Sequence, residues 1–484
     1  MARIERHVVS ALALLVLVFV FGTTHGYAQN YSVLYDFGNR TGDPIWPSGS
    51  LAQGTDGALY GISTGGGAIG DGTVFKITPA GQLRTLYSFC SQANCADGAQ
   101  PQGSLTLRPD GHFLGATSTG GTSSAGTIFD ISETGTLTVL YSFTGGTGGA
   151  EPWPPISGPD GHFYGTTSVG GAPSGCGTIY KITGPGTGGF RLLHRFTKTD
   201  GCLPEAPLVL GTDGNFYGTT VSGGTSNEGV VFSVTPAGTV TVLHSFNSND
   251  GFYPYDPLVQ GSDGNFYGTT KTSSTGTFGP TVFRITPAGT FTVLYKLNFG
   301  SDGSFVHAGL VQATDGNFYG VATQGGSSNN CGGGCGTLFQ ITPAGIFSVL
   351  YSFDLTTGSD PTDAPVQHTS GTLYGGTFSG GTGTDQTCVS FVGSCGVLYS
   401  WAASLPAFVN LVPYVGKVGG SIGFLGQGFT SSSSVSFNGT PATATVVSGT
   451  YLKATVPSGA TTGFVTATTS SGTLTSNKQF IVQP

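Results

Sequence analysis

The residues best placed by type and spacing to do chemistry are aspartates that return on a period. Asp56, Asp110, Asp160, Asp213, Asp263 and Asp315 each precede Gly in copies of a segment typified by GTDGNFYGTT (211–220), at spacings of 54, 50, 53, 50 and 52 residues. Ser370 fills a seventh slot 55 residues further on. A carboxylate repeated beside aromatic residues could be a general acid or a calcium ligand. Beside Gly in a tight turn it has a simpler use: Asp bonds the backbone two residues on, and Gly takes the left-handed position. The Ser in the seventh copy favours the turn.

Histidine and cysteine are the other candidates. His112 and His162 occupy the Asn slot of DGNF, and His194 and His244 replace Tyr in copies of VLYSF, so all four read as structural. His307 and His368 lie near or within predicted innermost strands and are the histidines to test as ligands. The eight cysteines suggest disulfides in an exported protein: Cys90 with Cys95, Cys331 with Cys335, Cys388 with Cys395, and Cys176 with Cys202 across the open end of a hairpin. A metal clip at CGGGC (331–335) would lack a nearby His. No Ser/His/Asp signature, phosphate-binding loop or metal-ligand spacing stands out. We therefore assign no catalytic residue, no metal site and no cofactor.

These residues must be held by strands. Each unit carries a copy of GTVFKI (72–77) and a copy of TLYSF (85–89), seven of each, short and rich in aromatic and β-branched residues. With a weaker strand before the Asp-Gly pair, as in PLVQG (257–261), each unit has the four antiparallel strands of a propeller blade. The phase of the repeat is informative. YSVLYDF (31–37) is the last strand of a unit standing alone at the start, and the final unit ends at GVLYSW (396–401) without one. The expected fold class is all-β: a seven-bladed β-propeller whose N-terminal strand completes the last blade and removes open edges. An open solenoid would need no complementary ends.

Strand alternation places the Asp-Gly and TPAG turns on one face and the variable loops, with all eight cysteines, on the other. Recognition usually resides on such loops. Trp46, Trp153, Phe252, Tyr253, Tyr255 and Phe305 fall there, amid Asp43, Glu151, Asp256 and Asp302. From these, Trp46, Trp153, Phe252, Tyr253, Tyr255 and Asp256 form the candidate ligand-binding set. The competing reading is that they pack neighbouring blades together.

Composition sets the compartment. Arg3 and Arg6 precede an apolar run from Val8 to Phe21, and Gly26 and Ala28 fit a cleavage site, which reads as a signal peptide over 1–28 rather than a short anchor. Later segments lack an apolar run long enough for a membrane helix. Only 8% of residues are charged, the net charge is −8, and no basic cluster follows the leader, so nucleic acid is not an expected partner.

After Trp401 the repeat stops, and 402–406 read as a linker. Residues 407–484, with GQGF, VSFNG and ATVPSGATTGFVTATTSSG, resemble the IPT/TIG immunoglobulin-like family. The resemblance implies a small β-sandwich of a kind that serves as a spacer or carbohydrate-associated accessory. The unit DGNFYGTT…GG…GTVF.ITPAG…VLYSF, over 31–401, resembles the GloVer repeat of Gloeobacter and Verrucomicrobia. That family implies an exported, surface-associated protein and brings no catalytic residues. The expectation is a secreted, monomeric, non-catalytic binding protein for extracellular polysaccharide or a surface protein. The alternative is a polysaccharide-active enzyme, hydrolase, lyase or oxidase, working in the central channel.

Overall fold

The computed structural model describes residues 31–183, 189–271 and 279–483; the expected leader lies outside them. Each repeat unit forms one antiparallel sheet in meander order. The first contains Pro44–Gln53, Leu59–Gly66, Thr73–Ile77 and Leu83–Ser88, and the second contains Ala99–Leu107, Phe113–Thr119, Thr127–Ile131 and Leu137–Ser142. In the third, the inner edge divides into Ala150–Pro152 and Ile156–Ser157 around Trp153-Pro154-Pro155, because proline offers no N–H to a ladder. The next three sheets start from two-residue inner strands at Val209–Leu210, Val259–Gln260 and Val311–Gln312. The last joins Val366–Gln367, Leu373–Thr377 and Val397–Trp401 to Tyr31–Asp36, with Tyr31 opposite Trp401. The strand displaced to the start of the repeat region thus completes its final sheet. The result is a propeller-like all-β fold.

The aromatic residues of the repeated motif fasten one sheet to the next. Tyr217 packs on Phe266 at 3.9 Å, Tyr267 on Phe318 at 4.0 Å and Tyr164 on Phe216 at 4.3 Å between ring centroids, each pair joining neighbouring units. These rings are buried, and burial of apolar area supplies the main drive for such packing.

The repeated aspartates are turn residues. Asp213 accepts from the N–H of Asn215 at 3.1 Å and from the hydroxyl of Tyr217 at 2.8 Å, while Gly214 turns the chain at φ +83°. Asp263 and Asp315 repeat both bonds. His194 and His244 each bond an aspartate of the following loop, Asp200 at 2.9 Å and Asp250 at 3.1 Å. In the first unit, by comparison, Tyr87 bonds Asp97.

All four disulfides take the expected pairings, and no free cysteine occurs among the described residues. The last long loop departs from the sequence reading. It carries a short helix, Gln386–Val392, in place of an irregular Gly/Ser loop, with Asp385 accepting from Thr387 N–H at 2.9 Å as its N-cap. The Cys388–Cys395 bridge ties that helix to the following strand.

The C-terminal residues build two four-stranded sheets, ordered Asn410–Val412, Ser421–Leu425, Tyr451–Thr455, Ala444–Ser448 and Thr440–Ala442, Ser434–Phe437, Val465–Thr469, Gly472–Thr475. Phe424 and Leu452 from one sheet and Phe437 and Val465 from the other share a core with Phe480. This unit rests on the Asp-Gly-turn end of the repeat region. Tyr451 donates to Pro109 O at 2.8 Å, Thr450 to Thr55 O at 2.8 Å and Tyr414 to Leu210 O at 2.7 Å. Ala403 and Leu405, in the expected linker, pack against the core below Trp401. A spacer would stand clear of the repeats; this unit is docked on them.

Candidate functional site

The innermost strand of each unit runs from a variable loop to its Asp-Gly turn, so the segments entering it surround the end of the channel opposite the turns. Aligned, these entry segments read WPSG (46–49), QPQG (100–103), EPWP (151–154), LPEA (203–206), YPYD (253–256), FVHA (305–308) and DPTD (360–363). Each position of the four has its own physical duty.

The first position holds Trp46, Gln100, Glu151, Leu203, Tyr253, Phe305 and Asp360, all at φ between +50° and +59°. That conformation is costly for a residue with a side chain, and here it serves to latch neighbouring units. Gln100 N–H donates to Asp71 O at 2.9 Å, Leu203 to Cys176 O at 3.0 Å, Tyr253 to Glu228 O at 3.0 Å and Trp46 to Cys395 O at 3.1 Å.

The third position holds Ser48, Gln102, Trp153, Glu205, Tyr255, His307 and Thr362. All except Gln102 line a cavity of about 660 Å³. Gln102 instead donates to Pro152 O at 2.9 Å. The fourth position is crowded where the seven segments converge. A Cβ on Gly49 would collide with the carbonyl of Gly103, and one on Gly103 would meet Pro154 Cδ at 2.7 Å. Gly, Gly, Pro, Ala and Ala fill five of these places, but Asp256 and Asp363 fill the other two and face the cavity.

The side chains form a connected set. Lys271 Nζ lies 4.8 Å from the centroid of the Tyr255 ring, and that ring lies 5.3 Å from His307. Trp153 donates through Nε1 to Ser168 Oγ at 2.9 Å, which fixes its indole at the wall. Asp256 accepts from Thr269 Oγ1 at 3.0 Å, and Asp363 from Thr362 Oγ1 at 2.9 Å.

Burial dominates the electrostatics here. It pushes the Asp256 carboxyl up to about 8, with the charge of Asp363 adding to the rise and the Thr269 hydroxyl opposing it. Burial takes Asp363 up to about 6 against bonds from Thr362 and the Gly49 N–H. Glu205 is also raised, by burial and then by Glu151. His307 is pushed down to about 4 by burial and the Lys271 charge, so its imidazole is neutral. Lys271 itself is lowered by burial, partly offset by Glu205 and Asp256.

Of the residues singled out in the sequence, Trp153, Tyr255 and Asp256 meet in this cavity, together with His307. Trp46 stands one layer back, stacked at 5.9 Å on Phe378, which lines the wall. Phe252 is buried in packing, and Tyr253 is a latch residue whose ring lies 6.1 Å from that of Phe252. Asp43 and Asp302 brace outer loops by accepting from Tyr35 and Tyr295. His368 is no channel ligand: it is buried at the turn end, bonded to Gly57 O at 3.0 Å and Ser370 Oγ at 2.7 Å. Glu205 and Asp363 lie far from the Asp-Gly turns that mark the repeat; in the sequence it is the prolines of the entry segments that mark their places.

At the turn face a smaller cavity of about 360 Å³ lies between the repeats and the C-terminal unit, lined by apolar residues such as Leu107, Ile156, Leu208 and Val412, with Tyr414 and Lys478. Among the described residues, the one group with metal-ligand proximity is Asp71, Cys90 and Cys95, and its sulfurs are spent in a disulfide. No helix among the described residues is long and apolar enough to cross a membrane.

The profile of the Gloeobacter/Verrucomicrobia repeat matches residues 19–153 and 145–334. No curated protein matches the sequence. Among solved structures, the chain is similar to an extracellular domain assigned to a hybrid two-component system of B. thetaiotaomicron, at 11% identity and a TM-score of 0.47, covering 94% of this chain and 58% of that one. It is also similar to a gluconolactonase from Xanthomonas campestris (14% identity, TM-score 0.37, 60% and 85% covered). A third is the calcium-binding protein regucalcin from Agrobacterium tumefaciens (13% identity, TM-score 0.39, 77% and 95% covered).

Proposed function

We propose that this chain, which belongs to the Gloeobacter/Verrucomicrobia repeat family, is an exported binding protein that takes a segment of extracellular polysaccharide into its loop-face cavity. The architecture in this reading is a closed seven-bladed propeller over 29–401, preceded by a removable leader over 1–28. An IPT/TIG-type immunoglobulin-like sandwich over 407–484 caps its turn face. The protein acts as a monomer outside the cell, a compartment that suits its four disulfides.

One observation carries the ligand assignment. The cavity sets the rings of Trp153 and Tyr255 beside Asp256, Glu205, His307 and Thr362 in one recess. Flat apolar rings beside hydrogen-bonding groups suit a sugar, which offers C–H faces and hydroxyl edges. Affinity electrophoresis of the purified protein in gels containing soluble β-glucan, xylan, galactomannan or polygalacturonate tests this. Retardation by at least one polymer is expected, and loss of it in Trp153→Ala/Tyr255→Ala. A double variant that migrates like the parent would remove the cavity from the binding surface.

A further inference from the structure

Asp256 and Asp363 are unexplained by the needs of the ring. They occupy equivalent places in two units, at the one position where convergence of the inner segments selects glycine, proline or alanine. Nor does the neighbouring threonine require them. The single hydroxyl proton of Thr269 has a second acceptor within reach, Ala308 O at 3.1 Å, and Thr166, at the equivalent place two units earlier, bonds Ala206 O at 2.8 Å with no aspartate present. A backbone acceptor is thus available to this threonine without the carboxyl of Asp256. Burying a carboxyl costs free energy unless it is paired, so two in one cavity call for a use.

Their surroundings differ in a useful direction. Asp256 has one hydroxyl donor, whereas Asp363 has the Thr362 hydroxyl and the Gly49 N–H. Donors stabilise the ionised form, so Asp363 ionises more readily than Asp256 and Asp256 is the better holder of a proton. Lys271, Glu205 and His307 are the other titratable groups around Asp256, and the neutral His307 does not compete as a proton donor. Tyr399, fully buried, brings its hydroxyl within electrostatic reach of Asp363, and that hydroxyl has no hydrogen-bond partner among the described residues.

We propose that the cavity hydrolyses a glycosidic bond, with Asp256 as proton donor to the leaving oxygen and Asp363 as proton acceptor from the attacking water. This rests on the saccharide reading of the same cavity. The Asp256 proton passes to the glycosidic oxygen as its bond to the anomeric carbon breaks. The water oxygen bonds to that carbon while its proton passes to Asp363. The products are a new reducing end and an alcohol, and proton exchange with solvent restores both carboxyls. Paired carboxyls of this kind are the usual apparatus of glycoside hydrolysis.

The test measures binding and cleavage on the same polymers. Wild type should release reducing ends from a polymer that retards it in the gel. Asp256→Asn and Asp363→Asn should each lower that rate by about 10²- to 10⁴-fold, a loss that far exceeds any change in gel retardation. Asp256→Glu, which keeps a proton donor, should recover part of the rate, and thermal melts of each variant separate lost folding from lost catalysis. Retention of a polymer without release of reducing ends overturns the hydrolysis and leaves the binding reading intact. Absence of both overturns both, and an Asp256→Asn variant with undiminished cleavage overturns the assignment of the donor.

Discussion

The hydroxyl of Tyr414 donates to the backbone carbonyl of Leu210 at 2.7 Å, joining the C-terminal unit to the innermost strand of a repeat 204 positions away. The Lys478 ammonium lies 5.1 Å from the centroid of the same ring, and both residues line the cavity between the two units. Tyr414 is therefore part of the contact by which the C-terminal unit docks on the repeats.

Removing the docking hydroxyls tests that role. Tyr414→Phe/Tyr451→Phe leaves two partly buried carbonyls, those of Leu210 and Pro109, without their donors. At about 1 kcal/mol for each lost bond, urea denaturation should show a destabilisation of about 2 kcal/mol. Stability equal to wild type would mean that apolar contact alone holds the units together.

The turn reading of the repeated aspartates makes a contrasting demand. Asp213→Ala removes the acceptor for Asn215 N–H and the Tyr217 hydroxyl, and should cost about 1–2 kcal/mol by loss of a turn cap and a buried partner. Polymer binding should be unchanged, since Asp213 lies at the opposite end of its inner strand from the cavity. A loss of binding in a folded Asp213→Ala protein would restore the aspartates as candidate site residues.

Cys176 and Cys202 close a loop of 26 residues that spans a whole hairpin. In the chain-entropy account, opening such a loop costs about 3.5 kcal/mol. Cys176→Ala/Cys202→Ala should lose about that much in denaturant titration, and more than the corresponding change at Cys331 and Cys335, whose separation is 4. Equal losses at the two sites would count against the entropic origin.

Asp256 should leave a signature in the pH dependence of stability. Its carboxyl is raised from about 4 in the unfolded chain to about 8 in the folded one, so the unfolded state releases its proton first. The favourable contribution is complete below pH 4 and is lost as pH rises towards 8, at about 1.4 kcal/mol per pH unit. Asp256→Asn removes this loss. Its melting temperature should exceed that of wild type at pH 8, and the difference should shrink on acidification to pH 4. A difference independent of pH would show that the carboxyl is ordinary.

Much of this molecule is legible one residue at a time. The period near 50, the aromatic and β-branched strands, the turn chemistry of Asp-Gly and the cysteine spacings depend on local sequence, and each appears in the structure where that local chemistry puts it. Pairing of Tyr31–Asp36 with Val397–Trp401 was legible too, because a strand missing at one end and spare at the other leaves a single economical partner. His194 and His244 followed from the Tyr they replace.

Other features depend on through-space neighbours. Trp46, Phe252 and Tyr253 resemble Trp153 and Tyr255 in type and setting, yet strand direction and the latch geometry at positive φ turn the first three aside and the other two inward. The proline of its entry segment marks the place of Asp363, but only convergence of the inner segments makes it a partner of Asp256. The docking of residues 407–483 likewise arises from surface complementarity between distant segments, which periodicity does not encode. Local chemistry in the sequence determined the elements, their number and their pairing. The tertiary structure alone decided which carboxyls share a cavity and where the C-terminal unit docks, because burial and convergence are properties of the assembled chain.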